Sequence, residues 1–205
     1  MIHGLKKSIE KSKPAKSAKR SQSWKREQGK KLESEDIKSL QPHGFVHRLY
    51  DTQDWQAKCP VCKHENKNLM AQKQPGDLFF LSDFFFTIEC KSSMNPLYFP
   101  PKNVSKDHQF TMGMDIISNG GYHAFHIAFY EKNKSPKFSY LIDPFILFRL
   151  REERITVGNY KLPWSVLKKH SILVERNRSK WHLYESLKDM VFHIDSEYRN
   201  RIEVH

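Results

Sequence analysis

One stretch of the chain limits its architecture more than any other. Asp77-Leu-Phe-Phe-Leu81 and Phe84-Phe-Phe-Thr-Ile-Glu-Cys-Lys91 are two nearly continuous apolar runs, separated only by Ser82-Asp83. Short aromatic-rich runs bounded by turn residues read as strands, and Ser-Asp reads as a two-residue turn between them. Strands this apolar are usually central, with both faces covered. Helices must then lie on the sheet, so the chain reads as α/β.

The flanking segments supply the other elements. Gly29–Leu40 reads as a short helix with Leu32, Ile37 and Leu40 on one side, ended by Pro42-His43-Gly44. Phe45–Tyr50 reads as a strand, and residues 53–75 as an inserted loop or short protruding hairpin. After Pro100-Pro101, Asn103 or Ser105 is the expected cap of a helix running to about Ile117, closed by Asn119-Gly120-Gly121. Tyr122–Tyr130 and Phe138–Ile142 read as strands around an Asn133–Lys137 turn. Leu147–Val157 and Leu162–Val174 read as mixed, with a hairpin and a short helix starting near Pro163. Residues 179–199 read as an amphipathic helix, with Trp181, Tyr184, Leu187, Met190 and Val191 at helical spacing. The expected organisation is a tail over 1–28, a main domain over 29–175 and a C-terminal helical segment over 176–205.

Charge narrows the partner. The 205 residues carry 35 Lys/Arg against 23 Asp/Glu, a net +12. Residues 1–31 hold 11 Lys/Arg against Glu10 and Glu27 only, so +9 of the surplus lies there. Residues 1–28 are rich in Lys, Ser, Arg and Gln with almost no periodic apolar residues, the composition of a disordered tail or a frayed helix. A cationic segment of this kind neutralises phosphates and points to nucleic acid, with Lys25, Arg26, Lys30 and Lys31 as candidate backbone contacts. No apolar run reaches about 18 residues, so no membrane span is expected. The basic start is followed by no apolar region, so no secretory signal is expected either. Three cysteines make no disulfide framework, and the expected setting is a reducing cytoplasm, in association with the nucleoid.

The sharpest chemical pattern is Pro75-Gly76-Asp77, eleven residues, then Glu89-Cys90-Lys91. Side chains alternate along a strand, so Glu89 and Lys91 share one face and Cys90 takes the other. Asp77 opens the neighbouring strand of the hairpin and is expected to meet Glu89 at the sheet edge. Two carboxylates with the backbone carbonyl of Cys90 form an all-oxygen set suited to Mg²⁺ or Mn²⁺. A lysine beside them could orient or deprotonate a water, or stabilise the charge that develops during phosphodiester hydrolysis. The bland counterpart is a chance spacing with a solvated Glu–Lys pair.

Further along come Phe99-Pro-Pro-Lys-Asn103, Asp107-His-Gln109, Gly120-Gly121 and Phe125-His-Ile-Ala-Phe129. In this order, after the acidic pair, they resemble the RecU-type Holliday-junction resolvases of the PD-(D/E)xK nuclease superfamily. Gly29-Lys-Lys-Leu-Glu33 is similar to that family's first helix, and Lys161–Lys168, more weakly, to its C-terminal portion. The likeness covers about residues 29–175 and is specific as a combination over 75–130. It implies a restriction-endonuclease-like mixed central sheet flanked by helices. It also implies that Asp77 and Glu89 hold the divalent metal, and that Lys91 acts on the water or the transition state. Glu33 would lie at the site edge, Gln109 would orient near the scissile phosphate, and Arg48 and Lys102 would lie near DNA. The expected partner is branched or duplex DNA, cut by a homodimer whose two active sites cleave two strands. The family's protruding stalk corresponds to residues 53–75, which here carry Cys59-Pro-Val-Cys62 instead. Alternatives are a nuclease of the same fold with another DNA substrate, a non-catalytic DNA-binding protein, and a zinc-stabilised adaptor.

For Glu33 the competing reading is a solvated helix face shared with Glu35 and Asp36. Cys59 and Cys62 have the spacing of half a zinc knuckle, with free thiols as the alternative. A two-fold dimer could combine two such pairs into one Cys₄ site. Cys90 is expected on the core face as a small hydrophobe. His123 and His126, three apart on a strand, face opposite sides and make poor partners for one metal. His47 and His108 are plausible DNA neighbours only. The aromatic run Phe79–Phe86 is expected to pack in the core rather than to stack bases.

Overall fold

The computed structural model describes residues 16–49, 74, 76–100, 106–131, 136–177 and 180–199, with side chains described from Glu27 onward in the first helix. Cys59, Cys62, Lys102, Asn103, Ser105 and most of the 53–75 insertion lie outside the described residues, and the side chains of Lys25 and Arg26 do too. No helix of the described residues is long and apolar enough to cross a membrane.

A six-stranded mixed sheet forms the centre. Its strands are β1 (Phe45–Arg48), β2 (Leu78–Leu81), β3 (Phe85–Ser93), β5 (Tyr122–Tyr130), β6 (Pro136–Ile142) and β8 (Ile172–Val174), in the order β1-β2-β3-β5-β6-β8. The short β4 (Tyr98–Phe99) pairs with β7 (Leu162–Pro163), and β9 (Arg176–Asn177) with β10 (Lys180–Trp181), each as a separate two-stranded ladder. Only β3 and β5 run parallel; the remaining neighbours in the sheet are antiparallel. A parallel pair needs a crossover, and α2 (Asp107–Ser118) supplies it.

Helices cover both faces. α1 (Lys16–Leu40) and α5 (Leu183–Ile194) lie on one face. Their Leu32, Leu40, Leu183, Leu187, Met190 and Ile194 share a core with Phe80, Phe86, Ile88 and Leu141. On the opposite face lie α2, α3 (Pro144–Thr156) and the short α4 (Trp164–Lys169). There Phe110, Leu147, Leu150 and Leu167 pack with Phe125, Ile127, Phe129 and Trp164.

Several boundaries differ from the sequence reading for identifiable reasons. α1 reaches back to Lys16, so residues 16–28 are helical and the tail boundary at residue 28 is not an element boundary. Lys, Arg, Gln, Glu and Ala, which dominate that segment, are good helix formers even without an apolar face. The loop between β2 and β3 has three residues rather than two, since Leu81 pairs with Phe85. Phe84 thereby leaves the strand, and its ring packs edge-on to Phe80, Phe86 and Tyr122. The expected hairpin over 147–157 is the helix α3: Asp143 caps it by accepting from Ile146 N–H at 2.9 Å, and Pro144 opens it. The C-terminal helix starts at Leu183 instead of residue 179, because Trp181 pairs in β10, and a π-helical turn over Asp195–Arg199 follows it.

Near its turn the hairpin is covered on one side only, whereas further along β3 Thr87 and Glu89 are buried on the α2 face. Leu78, Phe80 and Phe86 are buried against α1 and α5. On the opposite side Phe45 is 59 % exposed and Phe85 41 %, with Leu81 exposed beside them. The aromatic run thus divides by parity: Phe80 and Phe86 fill the core, whereas Phe79 and Phe85 meet each other at 5.2 Å in a partly bare patch.

Candidate active site

β3 carries the central residues. Glu89 pairs in register with Phe125 and Cys90 with His126, which puts Glu89 on the α2 face and Cys90 on the α1 face. Leu78 pairs with Ile88, and just before it Asp77 N–H donates to Ile88 O at 2.9 Å, which holds Asp77 against β3, within reach of the Glu89 charge. The acidic pair therefore lies between the second and third strands and not at the lateral edge of the sheet. Asp77 Oδ2 accepts from Cys90 N–H at 2.7 Å. In an antiparallel ladder a residue's N–H and C=O point to the same neighbour. The Cys90 carbonyl is therefore directed to the Asp77 side, where β2 begins.

Glu89 is 2 % exposed and bonds to both Lys91 Nζ and Gln109 Nε2 through Oε1. Gln109 has a second duty. Its Oε1 accepts Lys106 N–H at 3.0 Å, which completes the backward half of a capping box at the start of α2. The helix therefore begins at Asp107. Arg151 of α3 fixes the same end: Nη1 meets Asp107 Oδ1 at 2.7 Å, and its guanidinium lies over the rings of Phe110 and Phe148.

Glu33 arrives from α1. Its Oε2 lies 2.6 Å from Arg48 Nη2 of β1. Burial first, then the Asp77 charge, push its carboxyl up to about 7, while Arg48 pulls the other way. Burial and Asp77 likewise raise Glu89, against the pull of Lys91, with Glu33 adding a smaller upward push. The Asp77 charge thus disfavours charge on both Glu33 and Glu89, and Glu33 adds to the effect on Glu89. A cation placed among them would relieve that repulsion, so the residues fit a divalent metal. Among the described residues no three Asp, Glu, His or Cys side chains enclose one point as a metal cage. The set here is smaller, two carboxylates and a main-chain carbonyl.

The structure thus brings Glu33, Arg48, Asp77, Glu89, Lys91 and Gln109 together. Lys30 and Lys31 are exposed on α1, and the Lys30 charge reaches Glu33, pulling against the rise of its carboxyl. The solvated-face reading of Glu33, Glu35 and Asp36 does not hold. Glu33 pairs with Arg48, Glu35 with Arg176 at 3.0 Å, and Asp36 is fully buried. Cys90 is buried as expected, but its thiol donates to Asp36 Oδ2 at 3.3 Å instead of acting only as a hydrophobe. His123 and His126 face opposite sides, as their spacing predicts. His123 Nδ1 is 2.8 Å from Thr87 Oγ1, beside Gly113 of α2. His126 bonds to Asp36 and Ser139.

Sequence reasoning missed Asp36 and Arg151. Asp36 was legible in principle: Leu32, Asp36 and Leu40 recur every fourth residue, which places the acid on the buried stripe of α1. Arg151 carries no such signal, since α3 itself was not expected. Comparison with protein-family models and with curated proteins finds no match for the chain.

Proposed function

We propose that this chain is a metal-dependent, structure-selective DNA endonuclease of restriction-endonuclease-like fold. In this reading it is a Holliday-junction resolvase that cuts paired strands of four-way junctions as a homodimer. The observation that carries the reading is the meeting of Asp77, Glu89 and Lys91 with Glu33 and Gln109. Five residues from α1, β2, β3 and α2 converge, separated in sequence by up to 76 positions. The order of elements supports it as well. A helix with Glu33, a strand with Arg48, the acid-bearing hairpin, a helix opening on His108-Gln109, then Gly120-Gly121 and a strand follow the order of the resolvase likeness.

Each residue then has a role. Asp77, Glu89 and the Cys90 carbonyl would hold Mg²⁺ or Mn²⁺, which supplies a lowered water pKa and neutralises charge on the phosphate. Lys91, already beside Glu89, supplies the cation that holds the attacking water or steadies the phosphorane charge. Gln109 fixes the Glu89 carboxylate and faces the phosphate from the start of α2. Glu33 draws Arg48 to the rim, where a DNA backbone passes. The exposed Phe45, Leu81 and Phe85 form an apolar patch next to the edge strand β1, a surface a two-fold partner could cover.

The deciding experiment offers purified protein and Mg²⁺ a junction, a fork, a flap, a linear duplex and a single strand. Paired, symmetric nicks confined to the junction are expected. Equal cutting of linear duplex would transfer the reading to a nuclease of the same fold with another substrate. No cutting of any substrate with Mg²⁺ or Mn²⁺ would sink the enzymatic reading.

A further inference from the structure

Behind the carboxylates lies a buried polar chain whose members Ser139, His126 and Asp36 the proposed chemistry does not use. Ser139 Oγ on β6 is 2.8 Å from His126 Nε2 on β5. His126 Nδ1 is 2.7 Å from Asp36 Oδ2 on α1. The same Asp36 oxygen accepts the Cys90 thiol of β3, and the Cys90 main-chain N–H donates to Asp77. Five residues, on β6, β5, α1 and β3 and just before β2, are thus joined in one line. Ser139, His126 and Asp36 are each fully buried. Although they have the order Ser-His-Asp, no substrate can reach the hydroxyl, so the triad is not a nucleophile system.

Fully buried polar groups in a sheet core lower stability unless they are paired, and an apolar trio would fill the same space without that risk. The chain's placement gives a reason for it. Asp36 stands one helical turn from Glu33, so both project from the same side of α1. Fixing Asp36 to His126 sets the height and rotation of α1 over the sheet. That fixes where Glu33 meets Asp77 and Arg48. From the other end, Cys90 is held by its side chain to Asp36 and by its N–H to Asp77. These two bonds thus also fix the residue whose carbonyl faces the site.

We propose that His126 is a positioning residue for the metal-binding carboxylates, acting through Asp36 and the Cys90 peptide. The inference rests on the nuclease reading for its consequence but on the bond chain for its content. Outer partners that orient ligands are commonly worth on the order of 10- to 100-fold in metal affinity.

The test uses two substitutions of nearly the same size. His126→Asn keeps a donor at the place of Nδ1 and loses the Ser139 bond. His126→Gln places its amide near Nε2 and loses the donor to Asp36. Mn²⁺ binding to the full chain is measured directly by electron paramagnetic resonance, without DNA, alongside thermal unfolding and the Mg²⁺ concentration for half-maximal cleavage. The expected result is a Kd for Mn²⁺ near wild type in H126N and weakened on the order of 10-fold in H126Q. The half-maximal Mg²⁺ concentration should move in parallel while turnover at saturating Mg²⁺ stays within a small factor. Equal Mn²⁺ affinity in both variants and wild type, or losses that track only the drop in melting temperature, would overturn the proposal. Should H126Q fail to fold, Ser139→Ala together with Asp36→Asn supplies the same comparison, with weakened binding expected only in D36N. If wild type binds no Mn²⁺ at all, the nuclease reading fails, an outcome distinct from unequal variants.

Discussion

Asp77 Oδ2 takes the main-chain N–H of Cys90 at 2.7 Å, so the acid that opens β2 is clipped to the strand that carries Glu89. The two carboxylates are therefore held together by the sheet's own backbone. Preorganisation of this kind lets a site meet developing charge without reorganising. It also means that a change of charge at Asp77 or Glu89 need not disturb the hairpin.

Asp77→Asn and Glu89→Gln are accordingly expected to abolish Mg²⁺-dependent cleavage while leaving the fold and DNA binding intact. Asn retains an oxygen for the Cys90 N–H, and Gln retains an acceptor for Lys91 and Gln109. Gel-shift binding to junction DNA in Ca²⁺ or EDTA should match wild type for both variants. Cleavage at wild-type rate by either one would remove it from the metal-binding set.

The raised carboxyl of Glu33 predicts a pH dependence with a definite sign. Its folded pKa, about 7, lies above the unfolded 4.5. Its contribution to stability is then full below pH 4.5 and is lost as pH rises through 7. Other groups act in the same range. His123, buried and neutral, is lowered to about 3, so it removes stability as pH falls below 6.5. His193, raised by its bond to Asp143, contributes stability below 6.5 that is lost at higher pH. The difference between wild type and Glu33→Gln isolates the glutamate. Without metal, the variant should gain stability relative to wild type between pH 5 and pH 8, read by urea unfolding. Addition of Mg²⁺ at pH 8 should narrow the gap. A gap independent of pH would show that Glu33 does not titrate in this window.

Gly113 offers a test of how α2 is seated. A Cβ there would come within 2.5 Å of His123 Cδ2, inside a fully buried ring held by Thr87. Glycine to alanine in a helix interior normally gains about 1 kcal/mol. Overpacking a tight core costs about 1–3 kcal/mol. The clash should win, since the ring lies against the sheet and has nowhere to go. Gly113→Ala is expected to lower stability by about 1 kcal/mol, and to lower cleavage further by lifting Gln109, one turn earlier, away from Glu89. A stabilised variant would mean that α2 moves out at no cost.

Much of this arrangement was legible because it rests on short-range patterns. Strand alternation placed Glu89 and Lys91 together and Cys90 apart, and the His123/His126 parity followed from the same rule. Gly120, with φ of +89°, closes α2 at the expected place. What was not legible depends on long-range pairing. The apolar Phe145–Leu150 run reads equally as strand or helix, and only the Asp143-Pro144 cap decides it. The fate of Glu33, Glu35 and Asp36 depended on Arg48, Arg176 and His126, between 15 and 141 positions away. A single acid within an apolar stripe was the local sign that one of the three is not solvated.

The basic half of α1 makes the last prediction. Helical geometry from Lys16 onward places Lys25, Arg26, Lys30 and Lys31 on the turns of α1 that lead up to Glu33. Each phosphate contact adds about 0.9 to the slope of log K against log salt for duplex DNA. Replacing all four by Gln should therefore flatten the slope by up to about 4 for duplex and for junction alike. Neutral Gln keeps the helix, because its propensity is close to that of Lys and Arg. The position of the cuts should not change, since none of the four is assigned to the metal, the water or the scissile phosphate. Fluorescence anisotropy over a range of KCl concentrations, with mapping of the cut sites, measures both quantities. An unchanged slope would show that this stretch of α1 does not lie on DNA, and a shifted cut site would show that it helps choose the scissile phosphate.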